Sequence, residues 1–163
     1  MTFTITASAS SDTVTTDATK LGQNTLLSFF GAAKQIVTNL VGNLTGASLT
    51  GTLNVSTADA GDEAISITTG TAATTIAGSS ASDTISTDAA LLAQDTTLTL
   101  SGSSKEVVTN LVGDISATGL TGTLTVTAGD NTNDNGISIT TGRIEQHCFV
   151  LYHISCVTAK QAL

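Results

Sequence analysis

The chain has 163 residues, 40% of them hydrophobic, which is enough for a buried core and excludes an unstructured polar chain. Only 11% are charged, 3% are aromatic and Pro is absent, so the core is expected to be thin and built from small and β-branched side chains rather than large rings. A formal charge of −8 with five basic residues excludes nucleic acid and anionic membrane surfaces, whose phosphates need Lys and Arg clusters.

Met1-Thr2-Phe3-Thr4-Ile5 has neither the basic start nor the continuous apolar centre of a signal peptide. No later stretch approaches the roughly 20 apolar residues of a membrane helix, so membrane insertion is not expected. The chain starts in mid-repeat, as a fragment would, or a protein exported by a route that ignores the N-terminus. Asp17 to Leu21 predicts one helical turn, and Asp88 to Ala93 another, with Thr87 or Asp88 as N-cap.

Val37-Thr38-Asn39-Leu40-Val41-Gly42, followed by Leu49-Thr50-Gly51-Thr52-Leu53, returns as Val108-Thr109-Asn110-Leu111-Val112-Gly113, followed by Leu120-Thr121-Gly122-Thr123-Leu124, with one constant offset between the two occurrences. Ser11-Asp12-Thr13 and Thr16-Asp17-Ala18 return at the same offset as Ser82-Asp83-Thr84 and Thr87-Asp88-Ala89. Past Asp59 and Asp130 the offset grows by one, the mark of a single-residue insertion in a surface turn. The chain is therefore an internal duplication, with copy 1 over residues 3–71, copy 2 over 72–142 and a tail over 143–163.

Within each copy the signal is period-2 alternation, as in Thr97-Leu98-Thr99-Leu100 and Ile65-Ser66-Ile67-Thr68, broken by Gly, Ser, Asn and Asp clusters. Such spacing predicts an all-β fold: either a repeat β-solenoid or two small β-sandwich repeats. The solenoid is preferred, because a sandwich normally carries large core aromatics. Three coils per copy would give about 24 residues per coil. Leu53, Val55, Ile65, Ile67, Leu98, Leu100, Leu124, Val126, Ile137 and Ile139 are expected to face inward, with Thr and Ser lining the outer faces.

After Gly142 the repeat gives way to Arg143-Ile144-Glu145-Gln146-His147-Cys148, and both Cys, both His, the single Tyr and the single Arg lie in residues 143–163. So abrupt a change reads as a shifted reading frame or fused end, or else as the cap that a solenoid needs at its open edge. The spacing of His147, Cys148, His153 and Cys156 does not match the paired ligands of a zinc site.

The unit from Gly78-Ser79-Ser80-Ala81-Ser82-Asp83-Thr84-Ile85 through Thr97-Leu98-Thr99-Leu100-Ser101-Gly102 resembles the Thr/Ala/Gly/Asp-rich β-strand repeats of large bacterial surface and exported proteins. Those repeats are often found beside calcium-binding repeats-in-toxin (RTX) segments. The resemblance spans residues 3–142. It implies a non-catalytic stalk or surface-layer spacer of an adhesin-like protein, secreted or at the bacterial cell surface, whose partners are neighbouring repeats of the same parent. Against the RTX nonapeptide, Gly78, Asp83 and Ile85 match, while Ser79 and Ala81 stand where two glycines belong.

Calcium is the one cofactor to which the residues point, in a module that would fold on export. In Asp130-Asn131-Thr132-Asn133-Asp134-Asn135-Gly136, Asn131, Asn133, Asn135 and Gly136 imitate the start of a D-x-[DN]-x-[DN]-G loop, and with Asp130 and Asp134 they offer several oxygens to a hard cation; the alternative is a solvated turn at the point of insertion. Asp59, Asp62 and Glu63 occupy the matching turn of copy 1. Asp12, Asp17, Asp83 and Asp88 recur at one spacing; paired carboxylates can do acid/base work, but Asp after Ser or Thr in a turn is ordinarily a local hydrogen-bonding residue. The repeats hold no His and no Cys, so no nucleophile has a base, and no enzyme is expected. A β-helix enzyme acting on polysaccharide would need basic residues along one flank, and those are missing. Open strand edges are expected to favour self-association.

Overall fold

The computed structural model describes residues 1–61, 63–129 and 136–142, and the backbone of two strands beyond them. Copy 1 holds β1 (Thr2–Thr6), β2 (Thr13–Asp17), β3 (Leu26–Gly31), β4 (Lys34–Leu40), β5 (Asn43–Leu49), β6 (Leu53–Thr57) and β7 (Ile65–Thr68). Copy 2 holds β8 (Thr74–Gly78), β9 (Thr84–Asp88), β10 (Thr97–Gly102), β11 (Lys105–Leu111), β12 (Asp114–Leu120), β13 (Leu124–Ala128) and β14 (Ile137–Thr141). The tail adds β15 (His147–Cys148) and β16 (Ile154–Thr158).

Odd-numbered strands form one sheet, in the order β1-β3-β5-β7-β9-β11-β13-β15, and even-numbered strands form the other, in the order β16-β14-β12-β10-β8-β6-β4-β2. Each coil thus adds one strand to each sheet, and every strand lies parallel to its counterparts in the coils before and after it. This is the β-solenoid, and the sandwich alternative falls away because hairpin-linked strands would pair antiparallel. Parallel stacking satisfies the backbone of each inner coil from its two neighbours, so small outward side chains suffice where nothing else needs covering.

Coil length is not uniform, and most coils are shorter than three equal divisions of the repeat would make them. The step between stacked strands is shortest at pairs such as Leu26 with Asn43 and Thr97 with Asp114, and longest at pairs such as Thr2 with Leu26 and Thr74 with Leu98. The reason is that β3 (Leu26–Gly31) corresponds to β10 (Thr97–Gly102), seven strands later, so one repeat makes three and a half coils rather than three. An odd number of strands in a two-sheet coil places equivalent segments in opposite sheets. The two copies are therefore related by a half turn about the solenoid axis.

The ten side chains expected inside are all buried, none more than 4% exposed. They form aliphatic ladders along the axis, for example Val55 on Ile76 on Leu100 in one sheet. Phe29 is the one buried ring among the described residues. Thr and Ser do not keep to the outside: Thr57, Thr74, Thr87, Thr141 and Ser104 are buried, and Thr74 and Thr87 share ladders with aliphatic side chains, Thr74 between Leu53 and Leu98 and Thr87 between Ile67 and Val108.

The helical turns expected at Asp17–Leu21 and Asp88–Ala93 are edge turns instead. Leu21 N–H reaches Ala18 C=O at 2.9 Å and Leu92 N–H reaches Ala89 C=O at 3.2 Å, one turn each. Helix cannot continue because Ala93 N–H is taken by Thr71 C=O of the adjacent coil at 3.1 Å. The corner after β10 is similarly tight: Gly102 has φ +94, and a Cβ there would lie 2.0 Å from Gly78 O.

Candidate functional site

Of the expected calcium ligands, Asp130, Asn131, Asn133, Asp134, Asn135 and Asp62 lie outside the described residues. In the copy 1 turn, Asp59 Oδ1 accepts the Gly61 N–H at 2.9 Å, a local turn in which Gly61 has φ +62. The adjoining Ala60 is buried. Its N–H is held by Asp83 Oδ2 at 3.1 Å, and its carbonyl accepts from Gln23 Nε2. Glu63 N–H reaches Ala60 C=O at 3.5 Å. Among the described residues no group of three or more His, Cys, Asp or Glu is placed to hold a metal.

The recurring aspartates are distributed among separate structural tasks. Asp17 Oδ1 accepts from Thr19 N–H at 3.0 Å, from Thr19 Oγ1 and from Asn39 Nδ2 at 3.1 Å in the next coil. Its counterpart Asp88 accepts from Ala90 N–H at 3.1 Å and from Asn110 Nδ2 at 3.1 Å. Asn39 and Asn110 carry φ of 58° and 54°, the left-handed region that Asn tolerates better than other side chains. Each Asp–Asn pair therefore pins the end of one strand to a bulge in the next, at the points where the β4–β6 and β11–β13 registers shift. The hydrogen bonds from Thr19 and Asn39 hold the Asp17 carboxyl below the usual range.

A second recurrent link joins Asn43 Oδ1 to Ser66 N–H and, in copy 2, Asp114 Oδ1 to Ser138 N–H, both at 2.8 Å. Asp12 is exposed, and its carboxylate accepts from Ser11 Oγ at 3.4 Å. Because Asp17 and Asp88 end strands of different sheets, the half-turn relation sends them to opposite edges of the coil. They do not face one another across a cleft, as a hydrolytic pair must.

Sequence reasoning missed the most unusual side chain. Glu106 in β11 is 0% exposed, and its parity with the inward Val108 could have revealed it. Its Oε1 accepts the Ser104 hydroxyl at 2.7 Å, while its Oε2 has no partner among the described residues. Burial pushes the carboxyl up to about 7, the Ser104 bond offsetting only part of that cost. Ser104 is the residue that makes Gly78 obligatory, since a Cβ at Gly78 would overlap its Oγ. Asp83, whose C=O accepts the Lys105 N–H at 3.0 Å just ahead of the β9–β11 ladder, is also 0% exposed, and its Oδ1 has no partner among the described residues.

Chemically, the Glu106 carboxyl is a group that keeps its proton toward neutrality. Yet Glu106, Ser104 and Asp83 are all fully buried, so they present no surface to a substrate. Comparison of the chain with protein-family models, with curated proteins and with solved structures finds no match.

Proposed function

We propose that the chain is a non-catalytic spacer: a stacked repeat segment of a larger exported bacterial surface protein that holds other domains at a distance. One observation carries this reading. The duplicated unit continues the same two sheets without interruption, with β8 (Thr74–Gly78) seated on β6 (Leu53–Thr57) in register from Leu53↔Thr74 to Ser56↔Ala77. A unit whose end is shaped to receive its own beginning adds length and little else. At about 4.8 Å per stacked strand, each unit of three and a half coils extends the axis by about 17 Å.

The recurring polar side chains support the same reading. Asp17–Asn39, Asp88–Asn110, Asn43–Ser66 and Asp114–Ser138 spend their hydrogen bonds between neighbouring coils. The −8 charge keeps such a thin rod soluble. Calcium-dependent folding is the rival, and titration with EDTA followed by millimolar calcium distinguishes the two through the β signal in circular dichroism. The direct test inserts one further copy of residues 71–142 after Gly142 and measures the maximum dimension by small-angle X-ray scattering. An increase of about 17 Å at constant cross-section is expected. A particle that thickens, or adds a separate globule, would reject the spacer.

A further inference from the structure

The first coil exposes an edge that its duplicate buries. Phe3 is 39% exposed, whereas its counterpart Thr74 is 1% exposed. Ile5 and Val14 are half-buried, whereas Ile76 and Ile85, their counterparts, are fully buried. Natural sheet edges are usually blunted by Lys, Pro or a bulge. From Met1 to Asp17 there is no Lys, Arg or Pro, and β1 and β2 pair without a bulge.

The internal junction shows what fits this edge. β8 and β9, the counterparts of β1 and β2, stand on β6 and β7 through Asn54↔Thr75, Val55↔Ile76, Ile65↔Ile85 and Ser66↔Ser86. Translated by the repeat offsets, those pairs become Thr125↔Thr4, Val126↔Ile5, Ile137↔Val14 and Ser138↔Thr15 between two molecules. Fourteen strands make a whole number of coils, so the odd-numbered sheet of one copy continues as the odd-numbered sheet of the next. The tail strands already use those positions, with Thr125↔His147, Val126↔Cys148, Ile137↔Ile154 and Ser138↔Ser155. β15 covers only two residues of β13, against the four that β8 covers on β6.

We propose that the β1–β2 edge docks on the β13–β14 edge of a second copy of this chain, in the register of the internal junction and in competition with the chain's own tail strands. This rests on the spacer reading and names its partner. The contact is heterologous and does not close, so it propagates head to tail. Each added molecule lengthens the filament by about 34 Å.

The test uses the full chain carrying Thr4→Cys and Thr125→Cys, with Cys148→Ser and Cys156→Ser to remove the native thiols. Stacked strands lie about 4.8 Å apart, inside the Cα separation that a disulfide spans. Mild oxidation at high concentration is expected to give a ladder of dimers, trimers and higher species on a non-reducing gel. The control pairing Thr4→Cys with Thr99→Cys, which lies mid-body, is expected to stay monomeric. Adding Ser155→Pro and Val157→Pro unseats the tail and should lower the concentration for half-maximal ladder by about tenfold or more.

A monomeric Thr4/Thr125 pair overturns the docking, as does a ladder of equal strength in the control. An unchanged midpoint in the proline variant overturns the competition with the tail. Sedimentation velocity on the unsubstituted chain gives a second reading: a single species independent of concentration, up to the solubility limit, also rejects the docking. A chain that elongates as expected on repeat insertion yet never ladders would sink this interface while leaving the spacer reading intact.

Discussion

Glu106 stands where copy 1 has Gln35, and Ser104 stands where it has Ala33. Both Gln35 and Glu106 are fully buried, but an amide costs far less to bury than a carboxylate. Gln35 donates to Ala33 O at 3.4 Å, and Ser104 supplies the corresponding contact to Glu106 at 2.7 Å. The folded state holds the Glu106 proton up to about pH 7, whereas the unfolded chain releases it near 4.5. The stability it contributes is thus fully present below pH 4.5 and is lost as pH rises through 7, a total of about 3 kcal/mol. Glu106→Gln should remove that loss and raise stability at pH 8 by a similar amount, while changing little at pH 4. Urea unfolding midpoints at pH 4, 6 and 8 check it, and a parent chain equally stable at all three pH values contradicts the assignment.

At the scale of elements, the block that announces the duplication, Val-Thr-Asn-Leu, is also the place where simple alternation fails. Val37 and Leu40 are both buried although three positions apart, and Val108 and Leu111 repeat the pattern. The left-handed Asn39 and Asn110 absorb the extra residue, so the chain bulges and resumes inward pointing. Alternation therefore made β6, β7, β10, β13 and β14 readable in advance. β4 and β11 were hidden by their bulges. Asn110→Val should destabilise by about 2 kcal/mol, from a β-branched side chain at positive φ and the lost bond to Asp88. Asn110→Gly, which keeps the backbone conformation, should cost less than half as much. Thermal unfolding of the pair decides, and equal losses would mean that the hydrogen bond rather than the dihedral governs the corner.

Across the whole molecule, a solenoid is stabilised by nearest-neighbour contacts, so position along the axis matters as much as sequence. β1 has one neighbour, β3, whereas its counterpart β8 lies between β6 and β10. β2 and β9 differ in the same way. Backbone amides of β8 and β9 should exchange with solvent at least about a hundredfold more slowly than those of β1 and β2, as expected when opening of the end coil precedes global unfolding. Hydrogen exchange read by mass spectrometry on peptides 1–17 and 72–88 makes the comparison. Equal protection at a concentration where the chain is monomeric would mean that the end coil opens only with the rest.

Amino-acid order alone determined the duplication, the all-β class, the preference for a solenoid and ten inward residues, because period-2 alternation and close repetition are local properties of the chain. It could not supply the number of coils per repeat. Three coils and three and a half divide the repeat equally plausibly until strand pairing is known, and pairing is a contact between segments a whole coil apart, as Leu26 with Asn43 or Thr2 with Leu26. The same holds for Glu106 and Asp83. Their residue types suggest surface turns, and only the stacking of β9 and β11 encloses them. Burial, the raised affinity of Glu106 for its proton and the exposed first coil are all consequences of which neighbour each coil has, and neighbours are decided in the folded solenoid.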